Sequence, residues 1–363
     1  MMKLQKIIFY GVVLATMTLR VQAQTYPVYI GTYTHGGKSE GVYVYTLDEK
    51  TGNSTFNKSI KMSNPSFVAR QGPILYAVNE DNAGKIVAYN LKTDTQISSL
   101  PTGGGSPCHI AISPKDPVLL VSNYAGGSLS LFRLAKDGAL LAQDDFIQFE
   151  GGGVNKSRQE SAHIHSAFFS RDGSRVFVSD LGSDLIYVYS IVQKDGTFRL
   201  QEQERIASKA GGGPRHITFS KDGKAFYLVL ELTGELAVYK NTANGWKESQ
   251  VLPIFAEGFS GEQGAADVKI TKDGKYLYAT NRGAADVVVT YSVQKDGRLI
   301  SQDVQSVGGK TPRNINFSRN EKWVFVTNQG SNRINVFQRD VNTGALKPTD
   351  KSILVDKPVC IIP

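Results

Sequence analysis

The sequence contains little cysteine and no long block of like charge. Two cysteines, Cys108 and Cys360, among 363 residues exclude a disulfide-stapled scaffold and a multi-cysteine zinc domain. The formal net charge is +8, but no run of five or more like charges occurs after residue 23, so we predict no nucleic-acid partner. Tryptophan (2) and methionine (4) are rare, whereas glycine (36), phenylalanine (17) and tyrosine (16) are frequent. Such a composition favours an all-β chain with many glycine-bearing turns.

Residues 1–23 have the pattern of a secretory signal peptide. Lys3 and Lys6 precede an apolar run from Ile7 to Leu19, and Val21-Gln22-Ala23 forms a small-residue cleavage site. The apolar run is shorter than a bilayer span, so we expect no stable membrane anchor. Cleavage takes the net charge from +8 to +5, because the segment carries three basic residues and no acidic one. The sequence therefore predicts export to the periplasm or the extracellular space.

A repeated pattern of strands and turns follows this segment. Each repeat reads as a strand, a turn of the Ser/Thr-x-Asp-Gly type, a strand ending in a polar residue, a glycine-containing turn and a third strand. The repeats begin at residues 65, 107, 162, 214, 265 and 312, and the stretches between them supply a fourth strand. Asp-Gly, which favours tight hairpin turns, occurs six times. Four antiparallel strands per roughly 40 to 50 residues are typical of a β-propeller blade.

A seventh unit is predicted to be shared between the two ends of the chain. Pro358 to Ile362 supplies its inner strand, and Tyr26 to Thr32, Gly41 to Leu47 and Ser54 to Met62 supply the other three. Joining the ends in one blade closes the ring and removes open sheet edges. The sequence therefore predicts one seven-bladed β-propeller domain over residues 26–363, two or three separate β-sandwiches being the alternative.

Alignment of the repeats assigns equivalent positions around the ring. The start of each inner strand and the end of the next strand lie on one rim, because the strands of a blade are antiparallel. The residues near the start of the inner strands are Ser66, Cys108, His165, Arg215, Ala266, Arg313 and Val359. The residues that close the second strands are Tyr33, Glu80, Tyr124, Leu181, Glu231, Arg282 and Gln329. Because the blades repeat around one axis, we expect the side chains of both sets to point towards that axis.

Six charged or titratable side chains of these two sets are predicted to converge. They are His165, Arg215, Glu231, Arg282, Arg313 and Glu80. It costs free energy to bring three arginines, two glutamates and a histidine together unless they pair or hold a ligand. We therefore expect a binding or catalytic site for a small anionic molecule at the axis.

Three further histidines and the two cysteines lie near these positions. His163 shares a strand face with His165 and is a candidate substrate-binding residue. His109 and His216 stand one residue further along their strands, and we expect them to point between blades and bond to neighbouring backbone. The two cysteines are not expected to pair, because they occupy different positions in blades separated by one other. No metal motif stands out, so we predict no cofactor, although strand-borne ligands could converge on the axis to hold a cation.

Several short motifs resemble those of the seven-bladed lactonase family. They are Pro214-Arg215-His216, Glu231-Leu232, Asn281-Arg282-Gly283, His165-Ser166-Ala167 and Tyr29-Ile30-Gly31-Thr32-Tyr33. This family contains propeller-type 6-phosphogluconolactonases and fungal carboxy-muconate lactonizing enzymes. The resemblance covers residues 26–363 and implies an active site formed by His165, Arg215, Glu231 and Arg282, with Arg313 in a Pro-Arg pair common in the family. Intracellular members act on a phosphorylated sugar lactone, whereas this chain is predicted to be exported.

Hydrolysis of a sugar δ-lactone, 6-phosphoglucono-1,5-lactone or a related sugar-acid lactone, is the leading hypothesis. Arg215 and Arg282 are expected to stabilise the charge that develops on the carbonyl oxygen or to hold an anionic group of the substrate. Either His165 or Glu231 is expected to activate water, and His165 is favoured because an ordinary imidazole pKa lies near neutrality. The expected substrate-binding residues are Arg313, Glu80, Tyr33, Tyr124, His163 and Gln329.

The sequence is also compatible with two other functions. A cycloisomerase of the carboxy-muconate type could use the same acid–base pair and arginines. A non-catalytic propeller could bind a small anionic ligand or a protein partner. The repeated Trp-Asp signature of protein-binding propellers is absent, since neither Trp246 nor Trp323 is followed by aspartate.

Overall fold

Residues 25–363 are described by the computed structural model, and they form seven four-stranded antiparallel sheets arranged as the blades of a closed ring. Within this range, helix is confined to one 3₁₀ turn at Gln329–Ser331. The predicted all-β, seven-bladed propeller is confirmed. The predicted signal peptide, residues 1–23, lies outside the described residues.

Each blade runs from an inner strand at the axis to an outer strand at the circumference. Blade 1 comprises β28 (Pro358–Ile362), β1 (Thr25–Thr32), β2 (Gly41–Asp48) and β3 (Ser54–Lys61). Blade 2 comprises β4 (Val68–Gln71), β5 (Ile74–Asn79), β6 (Lys85–Asn90) and β7 (Thr95–Pro101). Blade 3 comprises β8 (Pro107–Ile112), β9 (Val118–Asn123), β10 (Ser128–Leu134) and β11 (Leu140–Gln148). Blade 4 comprises β12 (Ile164–Phe169), β13 (Val176–Asp180), β14 (Leu185–Lys194) and β15 (Thr197–Ala207). Blade 5 comprises β16 (Pro214–Phe219), β17 (Ala225–Leu230), β18 (Glu235–Thr242) and β19 (Gly245–Pro253). Blade 6 comprises β20 (Ala265–Ile270), β21 (Tyr276–Asn281), β22 (Val287–Val293) and β23 (Leu299–Ser306). Blade 7 comprises β24 (Pro312–Phe317), β25 (Trp323–Asn328), β26 (Arg333–Arg339) and β27 (Leu346–Leu354).

The two ends of the described chain close the ring in blade 1. Strand β28 pairs antiparallel with β1, with Ile361 opposite Ile30. The predicted bounds of β28 agree with the structure, as do the predicted starts of β8, β16, β20 and β24. Only β4 and β12 begin two or three residues later than their repeats predicted.

The hydrophobic core is divided among the seven interfaces between neighbouring blades. One cluster of buried apolar residues lies at each interface, and each cluster draws on two adjacent blades. The second strands β9, β17 and β25 are buried along their whole length because a blade covers each face. Outer strands such as β15 are mostly exposed, with only Phe198 and Ile206 of β15 buried. Burial is therefore greatest in the second strands and falls towards the circumference.

The Ser/Thr-x-Asp-Gly segments form the turns between the inner and second strands. In blade 4, the Ser170 hydroxyl donates to Asp172 Oδ1 at 2.6 Å, and Gly173 takes a φ of 67°. The same hydroxyl–carboxylate bond recurs between Thr271 and Asp273 in blade 6. A glycine is favoured at the fourth position of the motif because the left-handed region is strained for most other residues. These turns set the register that places equivalent residues on the opposite rim.

The start of the inner strand is irregular in most blades. The pairing register shifts between Pro107 and His109, Ile164 and Ser166, Pro214 and Ile217, Ala265 and Val268, and Pro312 and Asn314. Residues inside a β-bulge leave the hydrogen-bonded ladder, and their side chains take new directions. The bulged residues include Cys108, His165, Arg215, Ala266 and Arg313, which the repeat alignment had directed at the axis.

Truncation of Ile361 tests how far ring closure stabilises the fold. Ile361 is fully buried at the interface between blades 7 and 1, so we expect Ile361→Ala to lower the free energy of unfolding by about 2–5 kcal/mol. Leu354→Ala is the control: Leu354 is 67% exposed, and its truncation should cost less than about 0.5 kcal/mol. Denaturant unfolding of both variants measures the difference. Equal, small losses would show that the closing strand adds little to the core.

Candidate active site

The residues that close the second strands hold equivalent places around the rim. In every blade the backbone N–H of this residue donates to a carbonyl just before or at the start of the inner strand, at 2.8–3.1 Å. The donors are Tyr33, Glu80, Tyr124, Leu181, Glu231, Arg282 and Gln329. The bond fixes each second-strand terminus beside the axis. The equivalence predicted from the repeats is therefore confirmed in all seven blades.

Glu231 is the centre of a cluster of three arginines and one histidine at this rim. Its Oε2 lies 2.9 Å from Arg215 Nε, 2.8 Å from Arg282 Nη2 and 3.9 Å from His165 Nε2. Its Oε1 lies 2.6 Å from Arg158 Nη2. A buried carboxylate is stable only when such partners compensate for its lost hydration. The cluster unites all four residues that sequence and resemblance assigned to catalysis.

The charge state of Glu231 follows from this environment. Burial favours the neutral acid and raises the pKa, but Arg282, Arg215, His165 and Arg158 outweigh it and hold the pKa well below its ordinary value of 4.5. Glu231 is therefore an anion at neutral pH.

The two strand-borne arginines of the cluster are also bonded to backbone carbonyls. Arg215 donates through Nη1 to Ala266 O, and Arg282 donates through Nε to Gly264 O at 2.9 Å. The side chain of Arg215 is only 3% exposed, whereas that of Arg282 is 13% exposed. Arg282 therefore lies nearer to the open rim, and Arg215 lies deeper in the channel.

His165 lies below Glu231 and is neutral. Burial and the neighbouring Arg215 charge lower its pKa well below 6.5. Its Nδ1 is buried and has no hydrogen-bond partner within residues 25–363. The ordinary imidazole pKa that favoured His165 as the base does not apply at this position, because burial disfavours the charged ring.

A small cavity lies on the axis beneath the cluster. Its volume is about 10 Å³, which has room for about one water molecule. Its lining includes His165, Arg215, Arg313, Glu80 and Cys108. The inner-strand and second-strand sets thus meet at the axis as the alignment predicted.

Arg313, Tyr33 and Glu80 form a second polar arm of the site. Arg313 Nη2 donates to the Tyr33 hydroxyl at 2.9 Å, and that hydroxyl donates to Glu80 Oε1 at 2.9 Å. Burial raises the pKa of Glu80 despite the opposing charge of Arg313. This arm contacts the axial cavity from the side opposite to Glu231 through Glu80 and Arg313.

Tyr124 and His163 form a stacked pair beside the cluster. Their ring centroids are 4.6 Å apart with an angle of 11° between the planes. His163 Nδ1 lies 3.1 Å from the Tyr124 carbonyl oxygen, and Nε2 lies 3.1 Å from Glu160 Oε1. Both nitrogens of His163 are thus engaged within the protein, and His163 supports Tyr124 rather than lining the axial cavity.

Gln329 stands apart from the charged cluster. It begins the 3₁₀ turn after β25, and its backbone N–H is bonded to Thr311 O at 3.1 Å. Within the described range, its side chain forms no hydrogen bond with Glu231 or with the Arg313 arm. The structure therefore places Gln329 on the predicted rim but does not join it to the other candidates.

His109 accepts the backbone N–H of Ala167 at 3.5 Å, as expected, but the rings of His109 and His216 approach each other across the axis instead of lying apart between blades. Their ring centroids are 5.3 Å apart although one blade separates their strands, and His216 lies 5.4 Å from His165. His216 Nδ1 bonds the side chain of Asp267 at 2.8 Å, not neighbouring backbone. The bulge between Pro214 and Ile217 explains the difference, because it turns two consecutive residues towards the axis.

Arg158 is a site residue that the repeats could not reveal. It lies in the connection 149–163 between β11 and β12, and its Nη2 also lies 3.3 Å from the Tyr124 hydroxyl. The connection is longer than its counterparts in the other blades, so the alignment held no position equivalent to Arg158. Its unusual length was the only signal in the sequence.

Other features of the described chain add no metal or membrane site. Between residues 25 and 363 no group of three or more His, Cys, Asp or Glu side chains is placed to hold a metal ion. No helix in the same range is long and apolar enough to cross a membrane. Cys108 and Cys360 are both buried free thiols.

Comparisons with known proteins agree with the ring and its motifs. Residues 27–363 match the family model described as "Lactonase, 7-bladed beta-propeller". A 6-phosphogluconolactonase of Formosa agariphila is 33% identical over 91% of this chain and 97% of its own length. A 6-phosphogluconolactonase of Bacillus subtilis is 32% identical over 92% of this chain and 97% of its own length. The solved structure of a periplasmic gluconolactonase of Pseudomonas aeruginosa is 32% identical, with a TM-score of 0.88 over 93% of this chain and 98% of its own.

The fold is a seven-bladed propeller, and its charged axial side chains are concentrated on one rim. Such a site is typical of propellers that are enzymes. The chain belongs to the seven-bladed β-propeller lactonase family. The family resemblance inferred from the short motifs is confirmed.

The pH dependence of stability tests the ion pairs of Glu231. Its pKa is lower in the folded than in the unfolded chain, so the pairs stabilise the fold fully above about pH 4.5 and progressively less as the pH falls. Glu231→Gln should lower the free energy of unfolding by about 3–5 kcal/mol at pH 7, because it leaves buried guanidinium charge unpaired. Chemical unfolding from pH 7 to pH 3 should show this difference shrinking.

The matched control is Glu257→Gln, since Glu257 is exposed on the loop that leads into β20. It should change stability by less than about 0.5 kcal/mol at every pH. A Glu231→Gln difference that stays constant down to pH 3 would contradict the assignment of an ionised Glu231.

Proposed function

We propose that this protein hydrolyses a sugar-acid δ-lactone, 6-phosphoglucono-1,5-lactone or a close relative, to the open acid. The observation that carries the proposal is an ionised carboxylate, Glu231, surrounded by guanidinium groups at one mouth of the channel. Relatives that align with almost the whole chain are 6-phosphogluconolactonases, which supports the same reaction here. We also propose that the chain is exported, as its first 23 residues suggest.

Glu231 acts as the base in this proposal. Its Oε1 is the carboxylate atom that faces the loop-borne Arg158, whereas Oε2 is held by Arg215 and Arg282. Water attacks the lactone carbonyl carbon while its proton passes to Oε1. The carbonyl electron pair moves to oxygen, and collapse of the tetrahedral intermediate breaks the ring C–O bond. The leaving alkoxide then takes the proton back from Glu231.

The other members of the cluster have separate roles. Arg282, the more exposed of the two strand-borne arginines, stabilises the developing oxyanion, because a fixed cation does this better than mobile water. Arg215 and His165 are buried below Glu231 and hold its carboxylate in position. Tyr124, Tyr33, Arg313, Glu80, His163 and Gln329 remain candidates for substrate binding. This assignment replaces His165 as the favoured base, because Oε1 of the ionised Glu231 faces the exposed side of the cluster, whereas His165 is buried behind Glu231 Oε2.

Lactone consumption measured against spontaneous hydrolysis tests the reaction. The wild-type protein should accelerate loss of 6-phosphogluconolactone or gluconolactone, and Glu231→Gln should reduce kcat on the order of 10²-fold or more. Glu231→Asp, which keeps a carboxylate, serves as a second variant if the glutamine protein does not fold. Glu257→Gln should match the wild type. Wild-type protein that accelerates neither lactone would contradict the proposal and favour a cycloisomerase or a binding protein.

The pH–rate profile separates the two candidate bases. Activity should be lost as the pH falls through the apparent pKa of the base, since only the unprotonated form accepts a proton. With Glu231 as the base, His165→Gln should lower kcat yet keep this acidic limb in place. Disappearance of the acidic limb in His165→Gln would assign the base to His165 instead.

A further inference from the structure

The connection 149–163 forms a strap over the catalytic rim. It is the longest link between consecutive strands in the described range, and it precedes the inner strand that carries His165. It carries two basic residues, Lys156 and Arg158, and two acidic residues, Glu150 and Glu160. Of these four residues, Arg158 contacts Glu231.

A buried glutamine holds the strap in place. Gln159 is fully buried, and its Nε2 donates to Leu181 O at 2.9 Å and to Asp184 Oδ1 at 2.8 Å. Its Oε1 accepts the backbone N–H of Asn155 at 3.0 Å. A Cβ at Gly153 would lie 2.4 Å from this same oxygen, so the strap closes tightly around Gln159. Arg158, the residue before Gln159, therefore extends from a part of the strap that is held in place by hydrogen bonds.

Arg158 is the most accessible cation that touches Glu231. Its side chain is 43% exposed, and only Nη2 is engaged, with Glu231 Oε1 and the Tyr124 hydroxyl. Its other N–H groups donate to no residue in the described range. Arg215 and Arg282, by contrast, are each bonded to a backbone carbonyl. Arg158 can therefore leave Glu231 with the loss of one other side-chain contact, that with the Tyr124 hydroxyl.

A phosphate group competes well for this guanidinium. The Glu231 charge is already shared with Arg215 and Arg282, so Arg158 adds a third partner to one anion. A phosphate dianion brings unshared charge and two oxygens in the geometry that a guanidinium binds through parallel hydrogen bonds.

We propose that Arg158 is the specificity-determining residue of this site. Its guanidinium binds the phosphate of a phosphorylated sugar lactone and thereby releases Glu231 Oε1, which then accepts the proton of the attacking water. This inference rests on the proposed function. It couples recognition to catalysis, because the same movement that binds the substrate anion frees the base. Selectivity for the phosphorylated substrate is then expressed in kcat as well as in KM.

Steady-state kinetics with two substrates test the inference. For 6-phosphogluconolactone, Arg158→Gln should lower kcat/KM about 10-fold or more, the loss expected for a charge-assisted hydrogen bond. For unphosphorylated gluconolactone, kcat/KM should not fall, because the substitution uncovers Glu231 Oε1 and removes no contact with this substrate. Arg158→Lys should recover part of the loss, since lysine keeps the charge but not the planar fork.

Lys156→Gln is the matched control. Lys156 lies on the same strap, but its Nζ donates to Gly153 O at 2.8 Å and does not contact Glu231. Its substitution should leave the ratio of the two kcat/KM values unchanged. Equal losses on both lactones in Arg158→Gln, or an equal change of the ratio in Lys156→Gln, would overturn the role of Arg158.

A binding measurement separates this inference from the proposed function. Calorimetric titration with 6-phosphogluconate and with gluconate needs no turnover. The wild type should prefer the phosphorylated acid by about 10-fold or more, and Arg158→Gln should lose that preference. Wild-type protein that hydrolyses neither lactone yet shows this Arg158-dependent preference would refute the hydrolysis and support the anion site. Absence of a preference in the wild type would overturn the inference even if both lactones are hydrolysed.

Discussion

The ion pairs of Glu231 are the interaction on which the catalytic rim depends. The carboxylate comes from blade 5, and its partners come from blade 5 itself, from the inner strand of blade 4, from the end of a strand in blade 6 and from the strap between blades 3 and 4. A buried carboxylate is tolerable only when these groups are all in place. Assembly of the ring and assembly of the site are therefore one event, and a blade displaced by even a small distance would leave buried charge unpaired.

The β-bulges convert a repetitive scaffold into an asymmetric site. A regular inner strand would point alternate residues into the two neighbouring blade interfaces, where apolar side chains are needed. The register shifts at the strand starts release one or two residues per blade from that alternation. Each blade can then carry a different polar residue at the axis without harm to its core. In blade 5 two consecutive residues, Arg215 and His216, face the axis in this way.

Most of the fold and the centre of the site could be predicted from the sequence. Turn residues recur at fixed offsets, so they set both the blade register and the positions that meet at the axis, including Glu231 and Arg282. The bulges could not be predicted, because a residue skipped by the ladder leaves no mark in an alternating pattern, and His216 was misplaced for that reason. Arg158 lies in a connection that is longer than its counterparts in the other blades, so no aligned position corresponds to it. The low pKa of His165 depends on packing across the ring, which no local pattern records.

Direct titration of the Glu231 carboxyl tests the central claim. Carbon NMR of protein labelled at the glutamate carboxyl carbons, with Glu231 assigned by comparison with Glu231→Gln, reports its ionisation site by site. The account predicts a pKa well below 4.5 in the wild type and a higher value in Arg282→Gln, which lacks one of the opposing charges. A wild-type pKa at or above 4.5 would contradict the account, because the carboxylate would then not be held by the surrounding arginines.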